Sequence, residues 1–462
     1  MSATGSVPPD LVVSGRIRRS DGTWGAGEIW IAGETIVAVE EAPRPGSAPG
    51  ARRIDVGTDL VLPGAVDSHV HSLSHRGEGI AASTRSAAAG GVTTIVEMPF
   101  DEGGPINSRD RLLAKQDLAD AEAFVDVALL GTLSPGGGWR EAETLAENGA
   151  AGFKVSLFLT DAHRFPRISD DELVEVMRAV GSTGRTLCTH AENNEIVKAL
   201  LAAEGARDGS DVHTHTRSRP PVSETLGVLT ALEIAADRGN SLHVCHLSLP
   251  RSIDLVGWYQ SQGVDVTMET CPHYLTFTEH DLETQRGRLK INPPLRTDEA
   301  RDGVWSRLES GKVTIVSSDH APWPREYKDN PRMLDNHSGV PGVETLVAAT
   351  LGAAIRRDPS LATLAVIVDT LTIEPARRFG LDGRKGSLEV GKDADLMVFS
   401  PDSSVTVDGT AMHSNAGWSP YDGMALGGAV TTTILRGSVA WTRDGGLQTD
   451  DARGQVLAGA GR

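Results

Sequence analysis

Cysteine is nearly absent: Cys188, Cys245 and Cys271 are the only three in 462 residues. An odd, sparse set inside apolar segments cannot build a disulfide framework and fits a reducing compartment. Long apolar runs are absent too. Hydrophobic residues make up 39% of the chain, but no stretch is long enough to cross a bilayer. The start, MSATGSVPPDLVVSG, has neither the basic region nor the apolar core of a secretory signal. A soluble cytoplasmic protein is expected. Positive charge is in deficit: 44 Lys and Arg stand against 62 Asp and Glu, for a formal net charge of -18. With no local basic cluster, this balance excludes nucleic acid and anionic membrane as partners.

What is present divides into three stretches. Residues 1–58 alternate apolar and polar positions in DLVVSGRIR, GEIWIAG and ETIVAVE, broken by glycines, and read as short strands. Residues 59–380 repeat an apolar strand, a polar residue at its end, and a helix. The strands are VLPGAV (61–66), TTIVEM (93–98), VDVALL (125–130), GFKVSLF (152–158), TLCTHA (186–191), SLHVCHL (241–247), VDVTMET (264–270) and VTIVSS (313–318). Ser169 and Glu172 have the spacing of a capping box before LVEVMRAV. Eight such units predict an α/β fold, a (β/α)8 TIM-like barrel. Residues 381–462 return to strands and turns in KGSLEVGKDADLMVFSP and TTTILRGSVAWTR. Both chain ends together would build a small β-sandwich domain. The final DDARGQVLAGAGR is expected to be loosely ordered.

In a parallel barrel, reactive groups project from the C-terminal ends of strands. The first strand ends in Asp67-Ser68-His69-Val70-His71. Residues two apart on an extended chain share a face, so His69 and His71 can reach one ion. Taken alone, the pair could equally be two unrelated surface histidines. Further along, His190 ends CTHA, His246 ends HVCH and Asp319 follows VSS. Four imidazoles and a carboxylate suit zinc, manganese or a similar divalent ion. Lys154 lies within the apolar strand GFKVSLF, where a charged ammonium is costly. A neutral lysine, or one paired with a carboxylate, would satisfy that position.

Ten segments in order, PGAVDSHVH, AAAGGVTTIVEMP, GFK, THAEN, CHLS, ETCPHYL, INPPLR, SSDHAP, GVPGVET and KGSLEVGKDADL, resemble the motif series of the cyclic amidohydrolases. That branch of the amidohydrolase superfamily contains allantoinases, hydantoinases, dihydropyrimidinases and dihydroorotases. The resemblance covers about residues 60–400. It implies a centre of two divalent ions, zinc foremost and manganese, cobalt or iron as alternatives. His69, His71 and Asp319 would hold the more buried ion, and His190 and His246 the second. Lys154, carboxylated by CO2 to a carbamate, would bridge them with a hydroxide. That hydroxide would attack the carbonyl of a cyclic amide, with Asp319 carrying the proton to the departing ring nitrogen. His273, Asn292 and Ser338 are the candidate substrate contacts. The resemblance also implies a homo-oligomer, dimer or tetramer.

Among the remaining histidines, His243 should face away from His246, and His320 should support its neighbour Asp319. His75, His213, His215, His280, His337 and His413 read as exposed or loop residues. The cysteines read as packing. The ring itself is less sharply marked. Where many dihydroorotases carry an arginine after the histidine pair, this chain has Ser72-Leu73-Ser74, with only Arg76 within reach. Phe100 replaces a further asparagine. The tyrosine that hydantoinases and dihydropyrimidinases place a few residues after the lysine is missing, since the chain runs Lys154-Val155-Ser156-Leu157-Phe158-Leu159. ETCPHYLTFTEHDL, EMP and the missing tyrosine resemble bacterial allantoinases most, while GVPGVE and SPYDGM resemble hydantoinases and INPPLR dihydroorotases. The resemblance thus ranks an allantoin-like cyclic ureide first, hydantoins or dihydropyrimidines second and dihydroorotate third. A non-catalytic dihydropyrimidinase-like scaffold ranks last, because all six ligand positions hold competent residues.

Overall fold

The computed structural model describes residues 8–461 apart from 45, 47 and 208. The chain opens with β1 (Leu11–Arg18), β2 (Trp24–Ala32), β3 (Thr35–Glu40) and β4 (Arg52–Pro63). β1 pairs antiparallel with β2 and parallel with β4. β4 crosses the 58/59 position, so Val61–Pro63 belong to this sheet. The apolar run VLPGAV thus serves two strands in two different sheets. It reads as one because the strand segments on both sides of Gly64 are buried. Gly64 makes the break: its N–H bonds the Asp395 carbonyl at 2.9 Å, and a Cβ there would sit 2.2 Å from the Thr93 side chain.

β5 (Ala65–Val70), β6 (Val92–Glu97), β9 (Asp126–Gly131), β10 (Gly152–Ser156), β11 (Thr186–His190), β12 (Leu242–Val244), β13 (Val266–Thr270) and β14 (Ile315–Val316) form the barrel. A short ribbon, β7 (Phe100–Asp101) with β8 (Gly104–Pro105), projects after β6. The eight strands are parallel and pair in chain order. Closure comes just past β14, where His320 bridges Val70 and exchanges backbone bonds with His69 and His71. Almost every barrel-strand residue is buried, as expected for strands covered on both faces. The helix Asp170–Ser182 starts where Ser169 places it, but no capping box forms. Ser169 Oγ donates instead to Asp171, and Glu172 is taken up by the Gly136 N–H.

After the barrel, β15 (Leu396–Thr406), β16 (Ala425–Leu435), β17 (Ser438–Thr442) and β18 (Gly446–Leu447) join the N-terminal strands through β4. The predicted small β domain is realised as one continuous eight-stranded sheet around its own core of Leu11, Val13, Ile29, Ile31, Leu396 and Ile434, among others. Lys385, at the head of KGSLEVGKDADL, fastens this sheet to the barrel. Its buried Nζ lies 2.5 Å from Asp126, 2.7 Å from Asp395 and 2.8 Å from Asp393.

The final segment through Gly461 is ordered, against expectation, and Arg462 lies outside the described residues. β19 (Val456–Leu457) pairs parallel with Val127 and Ala128 of β9. β10 meets β9 only at Leu130 and Gly131, so the tail occupies the edge that β10 leaves open. Leu457 is buried, and the Ala460 N–H bonds the Gly380 carbonyl at 3.1 Å. Sequence composition alone does not reveal this gap in the barrel wall. No helix among the described residues is long and apolar enough to cross a membrane.

Candidate metal centre and substrate cleft

His69, His71, Lys154, His190, His246 and Asp319 come from β5 and the residue after it, β10, β11 and the segments after β12 and β14. All six line one cleft at the C-terminal end of the barrel, together with Asn292 and Ser338. His273 is buried but is not part of that lining; it stacks edge-on against Tyr274 at 4.3 Å. Two of these residues hold unusual backbone. His246 has φ 40° and Asp319 φ 46°, in the left-handed region. Such conformations cost about 1–3 kcal/mol each for non-glycine residues and concentrate at functional sites.

The imidazoles are individually oriented. His69 Nδ1 lies 2.5 Å from Glu269, leaving Nε2 3.4 Å from Asp319 Oδ1. His71 Nδ1 meets Ser74 Oγ at 3.2 Å, and its Nε2 lies 3.7 Å from the same Asp319 oxygen. Ligand atoms of His69, His71 and Asp319 fall within 4.8 Å of one another, close enough to hold one ion. His190 Nε2 bonds Glu192 at 2.8 Å, and its Nδ1 faces His246 Nε2 at 3.1 Å. Burial pushes His71, His190 and His246 below the ordinary imidazole range, and holds His69 down at about 4. Neutral imidazoles with free lone pairs are the form that binds metal.

Lys154 Nζ is buried with no hydrogen-bond partner among the described residues. Burial sets a desolvation penalty of several kcal/mol against a bare ammonium there, which Cys245, Glu269 and Cys188 outweigh. A carbamate facing cations removes it, so the donor set fits a metal group. Two other clusters fit less well. Cys245 lies near His69 and Glu269, but burial lifts its thiol well above the ordinary value, keeping it protonated. Asp126, Asp393 and Asp395 are already paired with Lys385, with Arg436 on Asp126 and Arg384 on Asp393 as well.

Glu269 was not singled out from the sequence, yet it organises the floor. Its carboxylate also accepts from Ser68 Oγ and from the His246 N–H, and lies 3.2 Å from His243 Nε2. Burial pushes this carboxyl up, but His69 and His243 outweigh it and hold it well below the usual range. An acidic residue in the apolar strand VTMET was the available signal. Glu192 plays the same part for His190, and Arg219 pairs with it in turn. His243 is thus structural, as expected. His320 also supports: its Nδ1 accepts from the Gly342 N–H at 3.1 Å. His215 departs from expectation. It is buried, and its Nε2 donates to the Ile291 carbonyl at 2.8 Å, bracing the segment that presents Asn292.

The cleft walls come mostly from irregular chain. Phe165 stacks on Phe100 with centroids 3.5 Å apart. Trp323 donates its indole N–H to the Ser338 carbonyl at 2.9 Å. Asn292 Oδ1 is buried without a partner among the described residues. Leu159 is 41% exposed and does not line the cleft, so the missing tyrosine has no substitute donor at that position. Arg76 is also outside the lining; Arg164 is inside it.

A parallel barrel with ligand-type residues at its strand ends defines a class, and sequence comparison agrees. Residues 60–440 match the amidohydrolase family. The chain belongs to that family. It is 37% identical over 424 residues to an allantoinase of Rubrobacter xylanophilus, covering 91% of this chain and 92% of that one. It is 34% identical over 396 residues to an L-hydantoinase of Paenarthrobacter aurescens, covering 84% and 85%. Among solved structures, the L-hydantoinase (dihydropyrimidinase) from Arthrobacter aurescens superposes with a TM-score of 0.92 at 31% identity, over 97% of this chain and 99% of that one.

Proposed function

We propose that this protein hydrolyses a C–N bond of a small cyclic ureide, with allantoin as the first candidate. The observation that carries the reading is the convergence of four imidazoles, Asp319 and an unpartnered buried Lys154 on one cleft. Similarity to allantoinases over nine-tenths of the chain supports the ring class. His69, His71 and Asp319 would hold one divalent ion, His190 and His246 a second, and Lys154 as its carbamate would join them. Such ions, zinc foremost, supply Lewis acidity to the substrate carbonyl and acidify a nearby water.

The chain's own groups do the rest. Asp319 Oδ1, facing both His69 and His71, receives the proton of the attacking water and returns it to the departing ring nitrogen. Glu269 keeps the His69 proton on Nδ1, so Nε2 presents a lone pair. Asn292 and Ser338 orient the ring amide, and Phe165 with Trp323 excludes bulk water. His273 acts by packing. The similarity to an L-hydantoinase keeps hydantoins as the second reading. Three buried free cysteines support a reducing, cytoplasmic setting. The resemblance to the cyclic amidohydrolases carries the expectation of a homo-oligomer, dimer or tetramer.

The test is a panel of allantoin, hydantoin, 5-substituted hydantoins, dihydrouracil and dihydroorotate. It is run with zinc, manganese or cobalt and with bicarbonate. Allantoin should give the highest kcat/KM. Preference for dihydroorotate overturns the substrate ranking, and inactivity on every ring with every metal overturns the hydrolase reading.

A further inference from the structure

Apart from Lys154, which the metal centre requires, Arg164 is the one cationic side chain among the described residues lining the cleft. It sits in a tight turn after β10. Asp161 Oδ1 accepts from the backbone N–H groups of both His163 and Arg164, and Asp161 bridges Phe165. Among the described residues the guanidinium is held by one of its nitrogens: NH1 donates to the Ser74 carbonyl at 2.6 Å. Its carbon lies 5.7 Å from the centroid of the Trp323 ring. Nε is buried with no hydrogen-bond partner among the described residues. Ser74 also bonds His71, so the anchor of the guanidinium is tied to the ligand set.

A planar fork with one arm fixed and a buried N–H unanswered is built to meet oxygen acceptors. The catalytic ring amide is not that acceptor, because it must lie over the imidazoles and Asp319. Arg164 lines the same cleft as the imidazoles and Asp319, so the ring substituent is the group left for its free donors. Phe165, the next residue, stacks on Phe100 and offers an apolar wall beside the fork.

We propose that Arg164 is a specificity-determining residue that binds a carbonyl or carboxylate oxygen on the ring substituent. It would select oxygen-bearing side chains over bare or alkyl-substituted rings. This inference rests on the hydrolase reading above and extends it to the substituent. A neutral ureido carbonyl and an anionic carboxylate share the required chemistry.

The experiment compares wild type, Arg164→Met and Arg164→Lys, all zinc-loaded, on four rings: allantoin, hydantoin-5-acetate, hydantoin and 5-methylhydantoin. Arg164→Met should raise KM at least tenfold for whichever oxygen-bearing ring is the natural type, with kcat changed less than threefold. Hydantoin and 5-methylhydantoin should move less than threefold in either constant. Arg164→Lys should recover the carboxylate ring if charge is what is read, and neither ring if the fork is needed. An equal loss on all four rings overturns the proposal in favour of a purely structural clamp on Ser74. Unchanged KM for both oxygen-bearing rings overturns it as well, while leaving the hydrolase reading intact. Wild type inactive on all four rings, with every metal tried, overturns both.

Discussion

Glu269 and His69 stand 200 positions apart in sequence and 2.5 Å apart in space. The contact fixes which nitrogen of His69 carries its proton, and so which one faces Asp319. Glu269→Gln should lower bound metal per chain and reduce activity roughly 10–100-fold, the usual cost of losing a carboxylate behind a ligand histidine. Elemental analysis alongside kinetics checks this. Full metal content with full activity would show that His69 needs no such support.

Lys154→Ala removes the unpartnered amine and, with it, the proposed bridge. Activity should collapse and return in part when formate, acetate or propionate is added to fill the space. A fully active, fully metallated variant would refute the bridge.

Asp319→Asn keeps the shape of the side chain and removes its basicity. General acid–base groups contribute about 10²–10⁴-fold. The variant should lose kcat on that scale, with KM changed much less. A loss below tenfold would assign the proton transfer elsewhere.

Lys385 gives a stability prediction with a definite sign. Burial lowers its pKa, but Asp395, Asp126 and Asp393 outweigh that and raise it to about 12 from 10.5. Because the folded value is the higher, the stabilisation is complete below pH 10.5 and is lost as pH rises through about 12. The shift corresponds to roughly 2 kcal/mol. Lys385→Met should cost about 3–5 kcal/mol near neutrality, since it strands buried carboxylates. Denaturant unfolding should show the gap from wild type narrowing above pH 10.5. A gap independent of pH would contradict the network.

Leu457→Ala tests the ordered tail. Truncating a buried leucine costs about 2–5 kcal/mol, whereas an exposed one costs little. A melting temperature equal to wild type would mean that the tail is not seated on β9.

Much of this was legible beforehand. His190, His246 and Asp319 each end an apolar strand, so strand periodicity and chemistry point to the same place. Lys154 stood out as a charge inside such a strand. Glu269 escaped notice because its role exists only once β5 and β13 sit in one barrel. Arg164 and Trp323 lie in irregular loops, where no periodicity marks orientation. His215 reads as a loop residue from sequence because its helix, Thr214–Ser218, is a single turn, and its partner Ile291 lies far along the chain. Ser169 marked a helix start correctly, but Gly136 competed for its partner.

The pairing of β4 with β15 has a consequence during synthesis. Residues that pair at this junction, such as Leu62 and Met397, stand 335 positions apart. At about 5–20 residues per second, β4 leaves the ribosome tens of seconds before β15 exists. Through that interval its outer edge is an open template for a neighbouring nascent chain. The acidic surplus accumulated as the chain grows, up to the -18 of the full sequence, opposes that pairing between like-charged neighbours.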